Sequence, residues 1–301
     1  MSATLLAAAA EAAGHQQYPA GCLYVVATPI GNLADLSLRA LHVLQLVDAV
    51  ACEDTRVSGQ LLRHFGLHKP LLAVHEHNER EAAGGVVSRL LAGERVALVS
   101  DAGTPAISDP GARLVAAVQQ AGLRCMPVAG ASAVAAALSV AGDTKAQGFR
   151  FLGFLPVKGE ARKQALQGLV GQAQTQVLYE APHRVEALLD ELALLAPTQP
   201  LTMARELSKQ FEQVLTLPVA SWPAQASEMA RQGQLRGEFA WLLHAAPPVA
   251  DEGIGPAAER LLAALLPHLP LKQAAALVAE HCGAARNAVY ARALEMKQQA
   301  D

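Results

Sequence analysis

Charged and hydroxyl side chains follow three of the apolar, strand-like runs in the first half of the chain. Thr28-Pro-Ile-Gly-Asn32 follows the first run, Glu53-Asp-Thr-Arg56 the second, and Ser100-Asp-Ala-Gly-Thr-Pro105 the fourth. Carboxylates and guanidinium groups at such positions can bind a polar ligand or exchange a proton with it. Because ligands of parallel α/β proteins bind beyond the carboxyl ends of the strands, the sequence predicts a polar cleft at one edge of a sheet.

The segment that begins at Asp101 has two interpretations. Gly103 lets the backbone approach a ligand closely, and Pro105 and Pro110 stiffen the loop, which favours a binding site. Alternatively, the segment is a tight strand-to-helix turn, in which Asp109 caps a helix that has Pro110 at its first position. The residues of this loop alone do not decide between the two.

Two other polar clusters of the first half invite a functional interpretation. A helix dipole favours acidic residues at its start, which would explain Glu53 and Asp54, but Arg56 in the same turn is not expected on that ground and favours a site. His75 and His77 alternate as two side chains on one strand face would, and they could ligate a metal. No third ligand stands at a fixed spacing, so the prediction is that no metal is bound.

The second half carries two clusters of the same kind. Glu180-Ala-Pro-His-Arg184 and Arg205-Glu-Leu-Ser-Lys209 each place a carboxylate beside cations just past a predicted strand. Arginine and lysine near a cleft can hold phosphates. Either cluster alone could be a surface ion pair, whereas two on the side of the first-half loops are better explained by a shared cleft.

Several common motifs are absent from the sequence. The loop after the first predicted strand contains Gly31 as its only glycine, so a GxGxxG dinucleotide site is poorly supported. There is no GxxxxGK[ST] sequence, which argues against a P-loop NTPase, and no GxSxG elbow, which argues against a hydrolase of that type.

Strands and helices alternate along residues 20–142 and again along 143–247, which predicts two α/β domains. The polar stretch Gly142–Gly148 marks the boundary between them. The first domain is expected to have a mostly parallel sheet with right-handed crossovers. The later strands of the second domain lie close together in sequence, which predicts some antiparallel pairing.

The two ends of the chain lie outside these domains. Residues 1–19 are expected to form a flexible extension. After the linker Pro247–Pro256, residues 256–299 predict helices in a helix-turn-helix-like arrangement. Basic and acidic residues nearly balance there, so a packing or dimerising appendage explains this region as well as nucleic-acid binding does.

Composition limits the classes of partner. The chain has 301 residues, of which 52% are hydrophobic and 17% charged, and a net charge of -3, so a nucleic acid would have to bind a local patch. The four cysteines form no CxxC pair, which fits a reducing cytosol. No apolar run is long enough to cross a bilayer and the start lacks a basic n-region, so a cytoplasmic protein is expected.

Over residues 21–298 the chain resembles the ribosomal RNA small subunit methyltransferase I family of the tetrapyrrole-methylase-like superfamily. The resemblance rests on a set of motifs in one order, Thr28-Pro-Ile-Gly-Asn-Leu-Ala-Asp35, Glu53-Asp-Thr-Arg56, Ser100-Asp-Ala-Gly-Thr-Pro105 with Asp109-Pro-Gly111, Gly153-Phe-Leu-Pro156, Tyr179-Glu-Ala-Pro-His-Arg184 and Ala204-Arg-Glu-Leu-Ser-Lys209. Each motif alone is weak, and the set is specific.

This resemblance implies two α/β domains with S-adenosylmethionine in the cleft between them, and a homodimer. It also implies 2′-O-methylation of a cytidine in the decoding centre of small-subunit ribosomal RNA. The assembled subunit is the expected substrate, and the sequence leaves free RNA open as the alternative. The chain departs from the family at Ala129-Gly130-Ala131-Ser132, where a Pro-Gly-Pro-like turn is usual. Gly130 keeps the backbone freedom of that turn, but the prolines that would stiffen this wall of the pocket are missing.

The resemblance and the polar clusters together lead to a set of site residues. Asp54 and Glu206 are the candidates for accepting a proton from the ribose hydroxyl. Arg56, Arg184 and Lys209 are expected to hold RNA phosphates. The candidates for the cofactor site are Pro29, Asp101, Gly103, Thr104, Ile107, Ser132, Glu180 and Leu207.

Two rival functions remain open on the sequence. A methylase acting on a small precorrin-type tetrapyrrole would share the fold and the cofactor, but it would need neither the helical tail nor the Glu53–Arg56 motif. A ribosome-assembly factor without catalytic activity would bind RNA and would not need an intact cofactor pocket.

Overall fold

A computed structural model describes residues 2–75, 78–246 and 255–300, and its strands form two five-stranded sheets. The first sheet has the order β3-β2-β4-β1-β5 with every pair parallel, as the alternation of strands and helices predicts. Its strands are β1 (Cys22–Val26), β2 (Ala49–Cys52), β3 (Leu71–Ala73), β4 (Val96–Val99) and β5 (Arg124–Val128).

Helices cover both faces of this sheet, and their polar first residues fix where several of them begin. The Ser37 hydroxyl accepts the Ala40 N–H at 3.0 Å, and the Asp54 carboxylate accepts the Arg56 N–H at 2.8 Å. Each cap satisfies a backbone donor that the helix itself leaves free. The helices between the strands are α2 (Leu38–Leu46), α3 (Thr55–His64), α4 (Glu79–Leu91) and α5 (Ala112–Gln120).

The expected flexible extension is wrong for residues 2–13, which form helix α1 (Ser2–Ala13). Ala9 and Ala13 are buried, and α1 packs against α2. Alanine is the best helix former and its small side chain allows close packing of two helices. The alanine-rich start of the chain is therefore part of the first domain's core.

The structure also corrects the expected cap at Asp109. Helix α5 begins after Gly111, whose φ of +131° is a conformation that favours glycine. The capping carboxylate comes from Glu79 in the first turn of α4. Its Oε1 accepts the N–H groups of Gly111 and Arg113, each at 2.9 Å, and that of Leu114 at 3.3 Å.

The second sheet is mixed, with the order β6-β7-β10-β8-β9. Strands β6 and β7 are parallel and the other pairs are antiparallel, which confirms the pairing predicted for this half. Trp222 and Trp241 meet edge to face in its core, with ring centroids 5.0 Å apart. The elements are β6 (Phe149–Phe154), α7 (Glu160–Gln167), β7 (Thr175–Glu180), α8 (Val185–Leu195), β8 (Pro200–Arg205), β9 (Gln213–Pro218), α9 (Trp222–Arg231) and β10 (Phe239–Leu243).

Helix α6 (Ala133–Ala141) leaves the first sheet but packs on the second. Its buried residues Val134, Ala137 and Ala141 form one apolar cluster with residues of β7, β8 and β10. Gly142 then ends the helix in a left-handed conformation, φ +68°. The packing boundary between the domains therefore lies before α6, whereas the sequence suggests residue 142.

Three further helices follow residues 247–254, which hold most of the predicted linker and lie outside the described residues. Helices α10 (Pro256–Leu265), α11 (Leu271–Cys282) and α12 (Arg286–Ala300) share an apolar core of their own. Gly283 ends α11 with φ +65° and starts the turn into α12. Among the described residues, no helix has the length and apolar character needed to span a membrane.

Candidate functional site

A cavity of about 400 Å³ lies between the two sheets, where loops from both domains meet. This volume is in the usual range of small-molecule sites. The first domain supplies Ile30, Ala102, Gly103, Thr104, Ile107, Ser108, Asp109, Ser132 and Ala133. The second supplies Phe154, Tyr179, Glu180, Ala181, Pro182, Ala204, Leu207, Gly237, Glu238, Phe239 and Ala240.

The loops that follow β1 and β4 are joined to each other beneath the cavity. Thr28 and Gly103 form a two-bond bridge, with N–H to O distances of 2.8 and 3.0 Å. The Thr28 hydroxyl also donates to the Ser100 carbonyl at 3.0 Å. Gly103 has φ +82°, which a larger residue would adopt only with strain. The glycine that the sequence singles out is thus required by the turn and also lines the cavity.

The turn Ala129-Gly130-Ala131-Ser132 is held by hydrogen bonds in place of prolines. The Thr104 hydroxyl donates to the Ala131 carbonyl at 3.0 Å, and the Ser37 hydroxyl donates to the Ala129 carbonyl at 3.4 Å. A Cβ on Gly130 would lie 3.0 Å from the Ala27 Cβ, so this position packs closely against β1. These contacts compensate for the stiffness that the missing prolines would provide.

Aromatic side chains form the second domain's wall of the cavity. The Tyr179 ring meets Phe151 and Phe154 edge to face, with centroids 5.0 and 5.7 Å away. Burial, with Asp109 and Glu238 nearby, raises the pKa of the Tyr179 phenol to about 12. The phenol is therefore a neutral donor at physiological pH.

Most of the expected cofactor residues lie on the cavity. Gly103, Thr104, Ile107, Ser132, Glu180 and Leu207 line it, whereas Pro29 and Asp101 do not. The Asp101 carboxylate instead accepts the Asp54 N–H at 3.2 Å and so ties the loop after β4 to the start of α3.

The Glu180 carboxylate is buried in an ion pair. Its Oε1 lies 3.0 Å from Arg184 Nε, and its Oε2 lies 3.5 Å from Arg162 Nη1. Arg184 also donates to the carbonyl of Leu155 at 2.7 Å and to that of Pro156 at 3.3 Å. Arg184 is thus held by contacts inside the second domain and is not expected to bind an RNA phosphate.

The structure argues against Asp54 as a proton acceptor. Its Oδ2 pairs with Arg56 Nη2 at 2.6 Å. The hydrogen bonds from the Arg56 side chain and backbone lower the pKa of the Asp54 carboxyl to about 2. A carboxylate with such a low pKa is a weak base, because its proton affinity is far from what neutral pH requires.

The Glu206 carboxylate also accepts hydrogen bonds from neighbouring groups. Its Oε1 accepts Lys209 Nζ at 2.8 Å and the Glu238 N–H at 3.0 Å. Burial raises the pKa of Glu206, but these hydrogen bonds outweigh it and lower the pKa overall. Neither carboxylate that the sequence suggests as a base is free to accept a proton.

The two remaining expected RNA ligands differ in how open they are. The Arg56 side chain is 90% exposed, and its carboxylate partner is Asp54. Lys209 Nζ lies 2.8 Å from both Glu206 and Glu238, and its stem passes over Gly31 of the first domain. Arg56 is therefore the stronger candidate for a phosphate contact, and Lys209 joins the two domains.

Four residues at the cavity are not among the site residues predicted from the sequence. Asp109 and Tyr179 line it, and Arg205 and Arg236 lie beside its Gly237–Phe239 edge, where Arg205 Nε donates to the Arg236 carbonyl at 3.0 Å. Neither arginine has an ion-pair partner among the described residues. Asp109, Tyr179 and Arg205 stand inside the quoted motifs, but only the fold shows that they face the cleft.

Several carboxylates cluster at the ends of β2 and β4. Burial raises the pKa of Glu53, Asp101 and Asp109, and the negative charges of the neighbouring carboxylates raise each one further. Among the described residues, no group of histidine, cysteine and acidic side chains has metal-binding geometry. Glu76 and His77 lie outside the described residues.

Two family models match the chain. Residues 22–222 match the Tetrapyrrole (Corrin/Porphyrin) Methylases, and residues 252–297 match the RsmI C-terminal HTH domain. The first match covers the whole first sheet and strands β6 to β9 of the second, and it ends before β10. The second covers α10, α11 and α12 together with part of the preceding segment.

Individual relatives give the same assignment. A Ribosomal RNA small subunit methyltransferase I of Pseudomonas aeruginosa is 50% identical over 92% of this chain and 98% of its own length. One of Neisseria meningitidis serogroup B is 46% identical over 92% of this chain and 94% of its own.

A solved structure shows the same fold at much lower identity. The uroporphyrin-III C-methyltransferase of Thermus thermophilus, complexed with S-adenosylhomocysteine, has a TM-score of 0.51. It is 18% identical and covers 74% of this chain and 96% of its own. With the two matched models and the relatives above, the chain belongs to the ribosomal RNA small subunit methyltransferase I family of the tetrapyrrole methylases.

Proposed function

We propose that this protein transfers a methyl group from S-adenosylmethionine to the ribose 2′ oxygen of a cytidine in the decoding centre of small-subunit ribosomal RNA. The main support for this proposal is the cavity between the sheets, which is lined by the motif loops of both domains. The relatives' printed name supports ribosomal RNA as the substrate. The cytidine and its 2′ oxygen follow from the resemblance to the family.

The residues of the cavity fit S-adenosylmethionine. Ile107, Leu207 and Ala240 offer apolar surface to an adenosine, and Ser132 and the start of α6 offer donors to a carboxylate. Glu238 also lines the cavity, and its negative charge suits a cofactor that carries positive charge. S-adenosylmethionine supplies an activated methyl group, so the protein has to bind, align and remove a proton.

Alignment is the main contribution that the fold can make to this reaction. Holding the ribose oxygen in line with the methyl group turns a bimolecular step into one within a complex, which is worth several kcal/mol of the barrier. The hydrogen bonds that join the loops after β1, β4 and β5 keep the first domain's wall of the cavity in place.

Basic side chains at the rim suit a phosphate backbone. Arg56 stands at the first domain's edge, and Arg205 and Arg236 stand at the second domain's edge. Arginine binds phosphate with two parallel hydrogen bonds. Together they form the local patch that a chain of net charge -3 needs. The proposal includes a homodimer acting on the assembled subunit.

Transfer of tritium from labelled S-adenosylmethionine tests this function. Small ribosomal subunits from a strain that lacks the gene, free ribosomal RNA and a precorrin are offered in parallel, and the products are digested to nucleosides. Label in 2′-O-methylcytidine from the subunits is expected. Label in the precorrin would instead support a tetrapyrrole methylase, and RNA binding without cofactor binding would support an assembly factor.

A further inference from the structure

We propose that the Asp109 carboxylate accepts the proton of the ribose hydroxyl during methyl transfer. This assignment rests on the proposed function and names the catalytic residue within it. It replaces the two carboxylates that the sequence suggests, since Asp54 and Glu206 are held in ion pairs with Arg56 and Lys209.

Asp109 differs from the other carboxylates that line the cavity. Glu180 is paired with Arg162 and Arg184, and Glu238 is paired with Lys209. Asp109 has no cationic partner among the residues that the structure describes. A carboxylate on the wall of a cleft without a neutralising cation keeps its capacity to accept a proton.

The groups that face Asp109 preserve this capacity. Glu53 and Asp101 add negative charge from the loops after β2 and β4, and Tyr179 faces it from β7. The Ser100 hydroxyl stands nearby and donates to the Gly103 carbonyl at 3.1 Å. Burial raises the pKa of the Asp109 carboxyl, the charge of Asp101 raises it further, and the nearby Ser100 hydroxyl opposes both.

Capping of α5, the structural role that the sequence suggests for Asp109, does not explain its position. The sequence suggests that it caps α5, but Glu79 does so by accepting three backbone N–H groups. An unpaired carboxylate that is partly removed from water destabilises the fold. A role in the reaction accounts for that cost.

The step balances without a further reactant. As the bond from the ribose oxygen to the methyl carbon forms, the bond from that carbon to the sulfonium sulfur breaks, and sulfur keeps its electron pair. The hydroxyl proton passes to an Asp109 oxygen, and the O–H electron pair stays on the ribose oxygen. Asp109 then returns the proton to water. The hydroxyl becomes strongly acidic as the new bond forms, so a carboxylate is a sufficient base.

The test compares Asp109→Asn with the wild type on small ribosomal subunits. Asparagine keeps the shape of aspartate and cannot accept a proton. We expect kcat to fall by about 10²- to 10⁴-fold, the range for loss of a general base. Because asparagine keeps the shape of aspartate, the dissociation constants for S-adenosylmethionine, measured by calorimetry, and for the subunits are expected to stay within about twofold of wild type. A tenfold rise would correspond to about 1.4 kcal/mol of lost binding free energy.

The pH profile of kcat separates a base from a merely structural residue. In the wild type kcat should rise with pH as Asp109 ionises and then level off, and Asp109→Asn should lack that rise. Asp109→Glu, which restores a carboxylate, should recover part of the rate and the rise. Asp190→Asn changes an exposed aspartate of α8 and serves as the matched control.

Three results would overturn the assignment. They are an unchanged kcat in Asp109→Asn, a loss of activity matched by a loss of cofactor affinity, and a wild-type pH profile in the variant. Failure of the wild type to form 2′-O-methylcytidine would overturn the proposed function itself, which the same assay reports separately.

Discussion

At the scale of single residues, the charged groups around the cavity divide into paired and unpaired ones. Asp54, Glu180, Glu206 and Glu238 each have an arginine or lysine partner. Asp109 has none in the described part of the chain. The sequence predicts where these carboxylates and cations stand along the chain, but pairing depends on side-chain distances across the fold, which spacing does not contain.

Removal of the Arg56 side chain should weaken RNA binding without changing cofactor binding. Its guanidinium is exposed at the rim and does not line the cavity, so Arg56→Ala is expected to raise KM for the subunits several-fold and to leave cofactor affinity unchanged. Steady-state kinetics and calorimetry measure the two effects. Arg231→Ala, which removes another exposed, ion-paired arginine, is the control. Equal KM values in the two variants would exclude Arg56 from the RNA interface.

Replacement of Asp101 by asparagine should make the protein more stable at neutral pH. The pKa of Asp101 is raised in the fold, mainly by burial, so the folded state binds more protons than the unfolded state between the two pKa values. Stability therefore falls as pH rises through that window. Asp101→Asn keeps the acceptor for the Asp54 N–H and should melt higher than wild type at pH 7.5, with a smaller difference at pH 4. A lower melting temperature at pH 7.5 would contradict this.

At the scale of elements, periodicity predicts the strands and most helices to within a few residues, and contacts between distant segments decide the rest. Residues 2–13 form a helix because alanines at its face find α2 to pack on. Helix α6 packs on the second sheet because its small residues fit the surface of β7, β8 and β10. Neither partner surface is near these segments in sequence.

The Glu79 cap supports a prediction on the stability of α5. Glu79→Ala leaves three backbone N–H groups of a buried helix start without their acceptor, which is expected to cost about 2 kcal/mol or more of unfolding free energy. Urea unfolding followed by circular dichroism measures the change. Glu81→Ala removes an exposed glutamate from the same turn of α4 and should change it by less than about 0.5 kcal/mol. Equal losses of unfolding free energy in the two variants would show that the hydrogen bonds of Glu79 do not stabilise the start of α5.

At the scale of the whole molecule, a few contacts close the cleft between the domains. The Ser208 hydroxyl donates to the Asp35 carboxylate, and Lys209 passes over Gly31. Glu206 and Ser208 have φ values of +50° and +67°, which are costly for residues with a Cβ. The resemblance predicts the two-domain arrangement. The contacts of Ser208 with Asp35 and of Lys209 with Gly31 join residues 170 or more positions apart, so neither segment of the sequence predicts them.

Gly31→Ala should disturb that contact. A Cβ at position 31 would lie 2.9 Å from Lys209 Cδ and 2.6 Å from its Cε, and the φ of +144° is strained for alanine. The lysine would have to leave Glu206 and Glu238, so we expect weaker cofactor binding and a lower melting temperature. Gly148→Ala has a similar φ, +125°, and its Cβ would meet only Gln174 Nε2 at 4.0 Å, so it is the control. If both variants bind the cofactor equally well, the contact does not support the cleft.

Nucleoside analysis of ribosomal RNA from cells tests most directly whether methyl transfer takes place in the cavity. A strain lacking the gene is complemented with wild type, with Ile107→Trp, whose indole would fill part of the cavity, or with Val157→Trp, which changes another exposed aliphatic residue outside it. Mass spectrometry then quantifies 2′-O-methylcytidine in the small-subunit RNA. Wild type and Val157→Trp should restore it and Ile107→Trp should not. Full restoration by Ile107→Trp, or none by the wild type, would contradict the account.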